Sequence, residues 1–249
     1  MSTTLSQKRS SFRALHVSGC FLLPNPWDIG SARLFQNLGF EALATTSTGF
    51  AWTLGLPDYA VTLEGVLRHL SDLSDAVDLP INADFESGFG KEPDAVAENV
   101  KRAIQAGVAG LSIEDHVFGD LNTLYDTNRA VERIAAVRSA IDATGEDVIL
   151  VARTEGLLTG GKVSAAIDKL VAMADAGADC LYAPGVRSAE HIRAVVAGVA
   201  PKPVNLLMGW PDDLTLKQIG EFKAIYGLNL QASSSHGSED IKKRSSRAK

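Results

Sequence analysis

Asp84, Glu86, Glu114 and Arg153 each stand where an apolar, strand-like run gives way to a polar loop. The runs read LPINADFESGFG (residues 79–90), VAGLSIEDH (108–116) and DVILVARTEG (147–156). Side chains delivered by separate strands into neighbouring loops converge on one face of a parallel barrel, where barrel enzymes keep their chemistry. Carboxylates grouped there suit a divalent cation. Mg2+ takes oxygen ligands and retains several waters, so a few carboxylates suffice, some acting through water. Such an ion polarises the 2-oxo and carboxylate oxygens of a keto acid and stabilises the enolate left when a bond to C3 breaks. Arg153 supplies a guanidinium for a substrate carboxylate or for the developing oxyanion. Gly88 and Gly90 let the ESGFG backbone turn sharply beside the metal. Taken singly, Asp84 reads equally well as a helix cap or a lysine partner; the four groups together read as a site.

These groups need strands to carry them. Strand-like and helix-like segments alternate along the chain with no Pro/Gly/Ser-rich linker between them. CFLLPNPW (20–27), FEALATTS (40–47), LPINADF (79–85), VAGLSIED (108–115), DVILVAR (147–153), ADCLYAP (178–184) and KPVNLLM (202–208) read as strands. They are nearly continuous in apolar residues, as parallel strands covered on both faces are. The helices are DIGSARLFQNLG (28–39), with Asp28 as N-cap and Gly39 as stop, then 62–77, 93–107, 130–145, 164–177 and 189–199. An eighth unit, a helix and a strand, falls within LTLKQIGEFKAIYGLNLQA (214–232). AGVAG (106–110) and AGADC (176–180) are tight helix-to-strand turns. The closure that satisfies this order is a (β/α)8 barrel over residues 20–232. A doubly wound open sheet is the alternative, but no GxGxxG follows the first strand. Residues 1–19 form a short helical segment, with Leu5, Phe12 and Leu15 on or near one face, that caps the barrel. The polar, basic tail at 233–249 has no apolar stripe and is expected to be disordered, the last barrel helix being absent or supplied by a partner.

The bulk numbers agree. The chain has 249 residues, 45% hydrophobic and 22% charged, enough for one large domain. A net charge of −6 disfavours a nucleic-acid surface. No apolar run reaches the roughly 18–20 residues of a membrane-spanning helix, and the start lacks the apolar stretch of a secretory signal. Cys20 and Cys180 are too few for a cysteine-based zinc site; both lie in apolar stretches, read as buried structural thiols, and fit a reducing cytoplasm.

The blocks ALATTSTGFAWTLGLPD (42–58), INADFESGFG (81–90), GVAGLSIED (107–115) and VARTEG (151–156) resemble the signature blocks of the isocitrate lyase/phosphoenolpyruvate mutase superfamily. The resemblance is ordered and runs over roughly residues 20–210. It implies a modified (β/α)8 barrel, a homodimer or homotetramer, and Mg2+, replaceable by Mn2+, acting on a small 2-oxo dicarboxylate through an enolate. By motif position Asp84, Glu86 and Glu114 would hold the metal, directly or through water. Asp58, Arg153 and Asn122 would form the catalytic set. Arg153 and the backbone N–H groups around Thr46, Ser47 and Thr48 would hold the substrate carboxylate.

Departures from that pattern narrow the reaction. The lyases carry a Lys-Lys/Arg-Cys-Gly-His loop after the fourth strand, whose cysteine transfers a proton; here the stretch is HVFGDLNTLYD (116–126), with neither cysteine nor lysine. The phosphonopyruvate enzymes carry a lysine and an asparagine there; Asn122 and Thr123 remain, but Asp120 takes the lysine position and would repel a phosphonate. Ala183 and Pro184 replace the mutase histidine. The remaining metal–enolate core suits decarboxylation or hydrolytic C–C cleavage of an oxaloacetate-like acid. Tyr125, His116 and Tyr182 are the proton-donor candidates, and Trp27, Trp52 and Trp210 are candidate pocket walls. A phosphonomutase and an inactive carboxylate-binding relative are the competing readings. A sugar-phosphate enzyme is disfavoured because LLMGWPDD and LQASSSHG offer no Gly-rich phosphate loop.

Overall fold

The computed structural model describes residues 3–208, Gln218 and 225–228. The predicted tail at 233–249, Trp210 and most of the predicted eighth helix lie outside the described residues. Eight parallel strands form one curled sheet: β1 (Leu22–Pro24), β2 (Leu43–Ala44), β3 (Ile81–Asp84), β4 (Gly110–Glu114), β7 (Ile149–Arg153), β8 (Cys180–Tyr182), β9 (Val204–Met208) and β10 (Ile225–Leu228). Their order, β1-β10-β9-β8-β7-β4-β3-β2, is that of a barrel cut between β1 and β2. Asn25, just after β1, spans this seam: its Nδ2 donates to the carbonyl of Ala44 at 2.9 Å. The sequence-predicted barrel order is therefore present, with a side-chain bond at the seam.

Helices α2 (Ile29–Asn37), α4 (Leu63–Ala76), α5 (Pro93–Gln105), α6 (Thr127–Thr144), α7 (Val163–Asp175) and α8 (Ala189–Gly198) follow their strands. All but α7 begin where the chain offers a start signal. Asp28, Thr62, Asp126 and Ser188 accept backbone N–H bonds as N-caps, and Pro93 occupies the first turn of α5, where no N–H is needed. The buried stripe of α5 (Val96, Val100, Ala103, Ile104) packs beside that of α6 (Ala130, Ile134, Val137, Ile141) in the main core. Gly145 ends α6 with φ 69°, a left-handed conformation glycine adopts without a Cβ penalty.

The N-terminal helix α1 (Leu5–Leu15) plugs the barrel floor. Phe12 is fully buried there, so close to β4 that a Cβ on Gly110 would lie 2.6 Å from its ring. Leu5, by contrast, is 41% exposed. The helix is anchored instead by two buried cations. Lys8 Nζ donates to the carbonyls of Ser74 and Val77 at 2.7 Å each, and Arg9 to those of Ile104 and Val108. These carbonyls lie at the ends of α4 and α5, where helices leave acceptors unpaired and favour positive charge.

Three further elements went unrecognised in the sequence. Ser47–Thr53 forms a short helix, α3, capped by Thr46. His116–Val117 (β5) and Asp120–Leu124 (β6) form an antiparallel hairpin, turned at Phe118 and Gly119, with Gly119 at φ +84°. The expectation of two buried thiols holds for Cys180 only; Cys20 is exposed. Among the described residues no helix is long and apolar enough to cross a membrane.

Candidate active site

β-strand register brings the predicted residues to one end of the sheet. Glu114 lies opposite Arg153 across β4 and β7, Arg153 opposite Tyr182 across β7 and β8, and Asp84 opposite Ser112 across β3 and β4. A pocket opens above them, lined by Thr46, Ser47, Thr48, Asp58, Asp84 and Arg153, among others.

Arg153 is the hub. Nη1 meets Asp84 Oδ1 at 3.2 Å, Nη2 approaches Glu114 Oε2 at 3.4 Å, and Nε donates to Glu155. Its guanidinium carbon lies 5.2 Å from the centre of the Tyr182 ring. Burial alone would discharge the group, but the surrounding carboxylates hold its pKa well above the ordinary arginine value. A second layer fixes these partners. Asp115 accepts from the Glu155 N–H at 2.8 Å, from the Thr154 hydroxyl at 2.7 Å and from Lys169 Nζ at 2.8 Å, locking the loop after β7 to the end of β4.

Each carboxylate sits in a different environment. Burial raises the pKa of Asp84, and Arg153 and two donors from Ser47 only partly offset it. Glu114 is also buried, yet Arg153 and bonds from His116 and Tyr59 outweigh burial and hold it below the usual range. Its bond to His116 in turn raises the imidazole pKa. Glu86 has no such help: among the described residues none hydrogen-bonds its side chain. Burial, then the charges of Asp84, Glu114 and Asp58, push it up to about 9. Its backbone is left-handed, φ 48°, a conformation that costs a non-glycine residue about 1 kcal/mol or more.

The positions of the predicted residues are mixed. Asp58, Asp84, Arg153 and Thr46–Thr48 line the pocket, with Glu86 and Glu114 buried beside it. Ser47 does not present a free N–H: both its N–H (3.1 Å) and its hydroxyl (3.0 Å) donate to Asp84 Oδ2. The Thr48 hydroxyl donates to Asp58 Oδ2 at 2.5 Å. Asn122 is not brought into the pocket; it lies exposed on β6, its backbone N–H on Asp120 Oδ1. Asp120, which also accepts from Thr123, organises the hairpin turn. Trp27 and Trp52 are not pocket walls, and Trp52 is 61% exposed. Sequence reasoning missed Tyr59, whose hydroxyl donates to Glu114 Oε1, and three asparagines of the pocket floor, Asn25, Asn82 and Asn205. The signal was present: Asn82 and Asn205 interrupt otherwise apolar strands. Their Oδ1 atoms are buried without a partner, which marks the floor as built for water or a polar ligand.

The donor set also decides how a metal would be held. Among the described residues no three acidic, histidine or cysteine side chains close on one point as a complete protein cage requires. Of the three residues expected to hold the metal directly or through water, Asp84 and Glu114 both bond to Arg153. The carboxylates of Asp58, Asp84, Glu86 and Glu114 nevertheless crowd one region, with Glu86 lacking a donor. Such a set fits a hydrated Mg2+ held partly through water.

The model of the family described as phosphoenolpyruvate phosphomutase matches residues 12–240. The chain belongs to this family. Within it, the chain is 38% identical over 158 residues to a 2-methylisocitrate lyase of Escherichia coli, covering 61% of this chain and 53% of that protein. It is 30% identical over 234 residues to an oxaloacetate decarboxylase of Pseudomonas savastanoi pv. phaseolicola, covering 88% and 78%. A solved structure from Burkholderia cenocepacia J2315, described only provisionally as a lyase/mutase, superposes with a TM-score of 0.87 at 42% identity over 90% of this chain and 82% of that one. The chain thus spans little more than half the length of the 2-methylisocitrate lyase it matches.

Proposed function

We propose that this family member is a lyase that, with Mg2+, breaks a C–C bond of a small 2-oxo dicarboxylate, with oxaloacetate or a close analogue as substrate. The observation that carries the reading is Arg153, held by Asp84, Glu114 and Glu155 at the base of a pocket lined by Ser47, Thr48 and Asp58. The family relative named as an oxaloacetate decarboxylase supports the substrate class.

The carboxylates of Asp84, Glu86, Glu114 and Asp58 would hold the ion, directly or through water. When bound, Mg2+ supplies electron withdrawal from the 2-oxo group. Arg153 orients the substrate and balances negative charge as it develops on the 2-oxo oxygen, a fixed charge needing no reorganisation during the reaction. In decarboxylation the C3–C4 bond breaks, carbon dioxide departs, the electron pair delocalises into an enolate, and C3 then takes a proton. In the Tyr59–Glu114–His116 triangle, with contacts of 2.6, 3.0 and 3.2 Å, His116 carries the dissociable proton beside the pocket. No lysine or cysteine stands in the hairpin, which favours decarboxylation over the isocitrate-type cleavage and the phosphonate rearrangement.

The test is turnover of oxaloacetate, monitored as pyruvate formed above the spontaneous rate, with Mg2+ and with chelator. Mg2+-dependent pyruvate formation supports the reading. Absence of turnover on oxaloacetate and its 3-substituted analogues would leave a carboxylate-binding protein instead.

A further inference from the structure

The loop that carries Glu86 has an unusual backbone. Within four residues, Glu86, Gly88 and Phe89 take left-handed φ values of 48°, 80° and 56°. All five carbonyls that follow Glu86 accept side-chain bonds from the helices behind the loop. Asn99 Nδ2 donates to those of Gly88 (3.0 Å) and Phe89 (3.1 Å). Arg133 takes the rest: Nη1 donates to Gly90 (2.9 Å) and Lys91 (2.6 Å), and Nη2 to Ser87.

Arg133 is 1% exposed, and its guanidinium hydrogen bonds go to backbone carbonyls and not to a carboxylate. Its other face lies on an aromatic ring, with Cζ 4.4 Å from the centre of Tyr125. Tyr125 closes the hairpin β5–β6. Its N–H donates to the Asp115 carbonyl at 2.8 Å, its own carbonyl accepts from Lys169 at 2.7 Å, and its hydroxyl accepts from the Phe118 N–H at 3.4 Å. One buried guanidinium therefore touches both the loop that aims Glu86 and the base of the hairpin after β4. Burying an arginine without a carboxylate is costly. A fold needing only apolar filling between α5 and α6 has no use for it. A planar cation with several donors is suited to holding divergent carbonyls and an aromatic face at once.

We propose that Arg133 is a positioning residue, which sets the left-handed backbone at Glu86 and mechanically links that loop to the hairpin. The inference rests on the reading that the Glu86 side of the pocket is the active site. Through this link, filling the site from the Glu86 side orders the hairpin, and loosening the hairpin disturbs Glu86 only by way of Arg133.

Hydrogen–deuterium exchange on the full chain tests the link, with and without Mg2+ plus oxalate, in the unaltered protein, Arg133→Met, Arg133→Lys and Tyr125→Leu. Calorimetry of Mg2+-dependent oxalate binding accompanies it. In Arg133→Met, segments 86–91 and 116–125 should exchange faster together while the barrel strands keep their protection. Oxalate affinity should fall about 10–100-fold, as loss of a group supporting metal ligands does. Arg133→Lys should restore part of both effects, which a filler role would not require. Tyr125→Leu should free the hairpin and leave 86–91 protected. Faster exchange spread evenly over the barrel, or unchanged exchange in both segments, overturns the proposal. So does unchanged oxalate affinity in a variant whose segments have loosened. If Arg133→Met does not fold, Arg133→Lys and Tyr125→Leu decide by the same criteria. If the unaltered protein binds no oxalate, the functional reading falls, and the exchange comparison alone decides the link.

Discussion

The Tyr59 hydroxyl donates to Glu114 Oε1 at 2.6 Å, joining the loop after α3 to the end of β4. Tyr59 itself takes φ 61°, and its N–H donates to Asp58 at 3.0 Å. Burial and the negative charge of Glu114 raise its phenol pKa, so it stays a donor across the physiological range. Glu114 is thereby held as a carboxylate by neighbours from separate segments.

Removing that donor should show in stability and in the site. Tyr59→Phe keeps the ring and loses a hydrogen bond to a charged acceptor, so about 1–3 kcal/mol of stability should go. Thermal unfolding measures it. Because His116 still bonds Glu114 at 3.0 Å, the fold should survive. An unchanged melting temperature would mean that this bond contributes nothing.

Glu86 predicts proton release on metal binding. With its pKa at about 9, the group is largely protonated at neutral pH, whereas a ligand to Mg2+ must be deprotonated. Affinity for Mg2+ should therefore rise with pH from about 7 up to 9. Titration in buffers of different ionisation enthalpy should register protons leaving as the metal enters. Glu86→Gln should abolish that release. The same release in the variant would assign the proton elsewhere.

His69 predicts a pH dependence of folding that is independent of catalysis. It is 8% exposed on α4, its ring stacks on Phe50 at 3.7 Å, and its Nε2 is buried without a partner. Burial lowers its pKa to about 4. The unfolded chain, with an ordinary histidine near 6.5, then binds more protons than the folded one between these values. Stability is full above pH 6.5 and falls as pH drops toward 4, by at most about 3 kcal/mol from this residue. Urea unfolding at pH 7, 5.5 and 4 should show a shallower decline in His69→Leu than in the unaltered protein. Parallel declines would remove His69 as the cause.

How far the sequence revealed this arrangement depends on the distance over which each feature is determined. The strands announced themselves through continuous apolar runs and the helices through local caps such as Asp28 and Pro93. Asp84, Glu114 and Arg153 were visible because strand ends are where a barrel exposes its side chains. The hairpin at 116–124 was hidden because its polar alternation, with no apolar face to bury, reads as loop. Nor could the spacing show that Ser47 would turn its donors onto Asp84, or that Arg153 would bond to both Asp84 and Glu114. Those bonds join residues 37, 69 and 39 positions apart, and only the barrel register sets them. Arg133 was invisible for the same reason, its partners lying on a loop more than forty residues away.

Calorimetric titration of oxalate, an enolate mimic, into the unaltered protein and Asp84→Ala, each with and without Mg2+, tests the central claim most directly. Glu114 and Glu155 continue to hold Arg153 in the variant, so the fold should be retained and confirmed by its melting curve. The account predicts binding by the unaltered protein only when Mg2+ is present, and loss of that binding in Asp84→Ala. Equal binding with and without Mg2+, or binding undiminished in a folded Asp84→Ala, would contradict a metal–enolate site built on these residues.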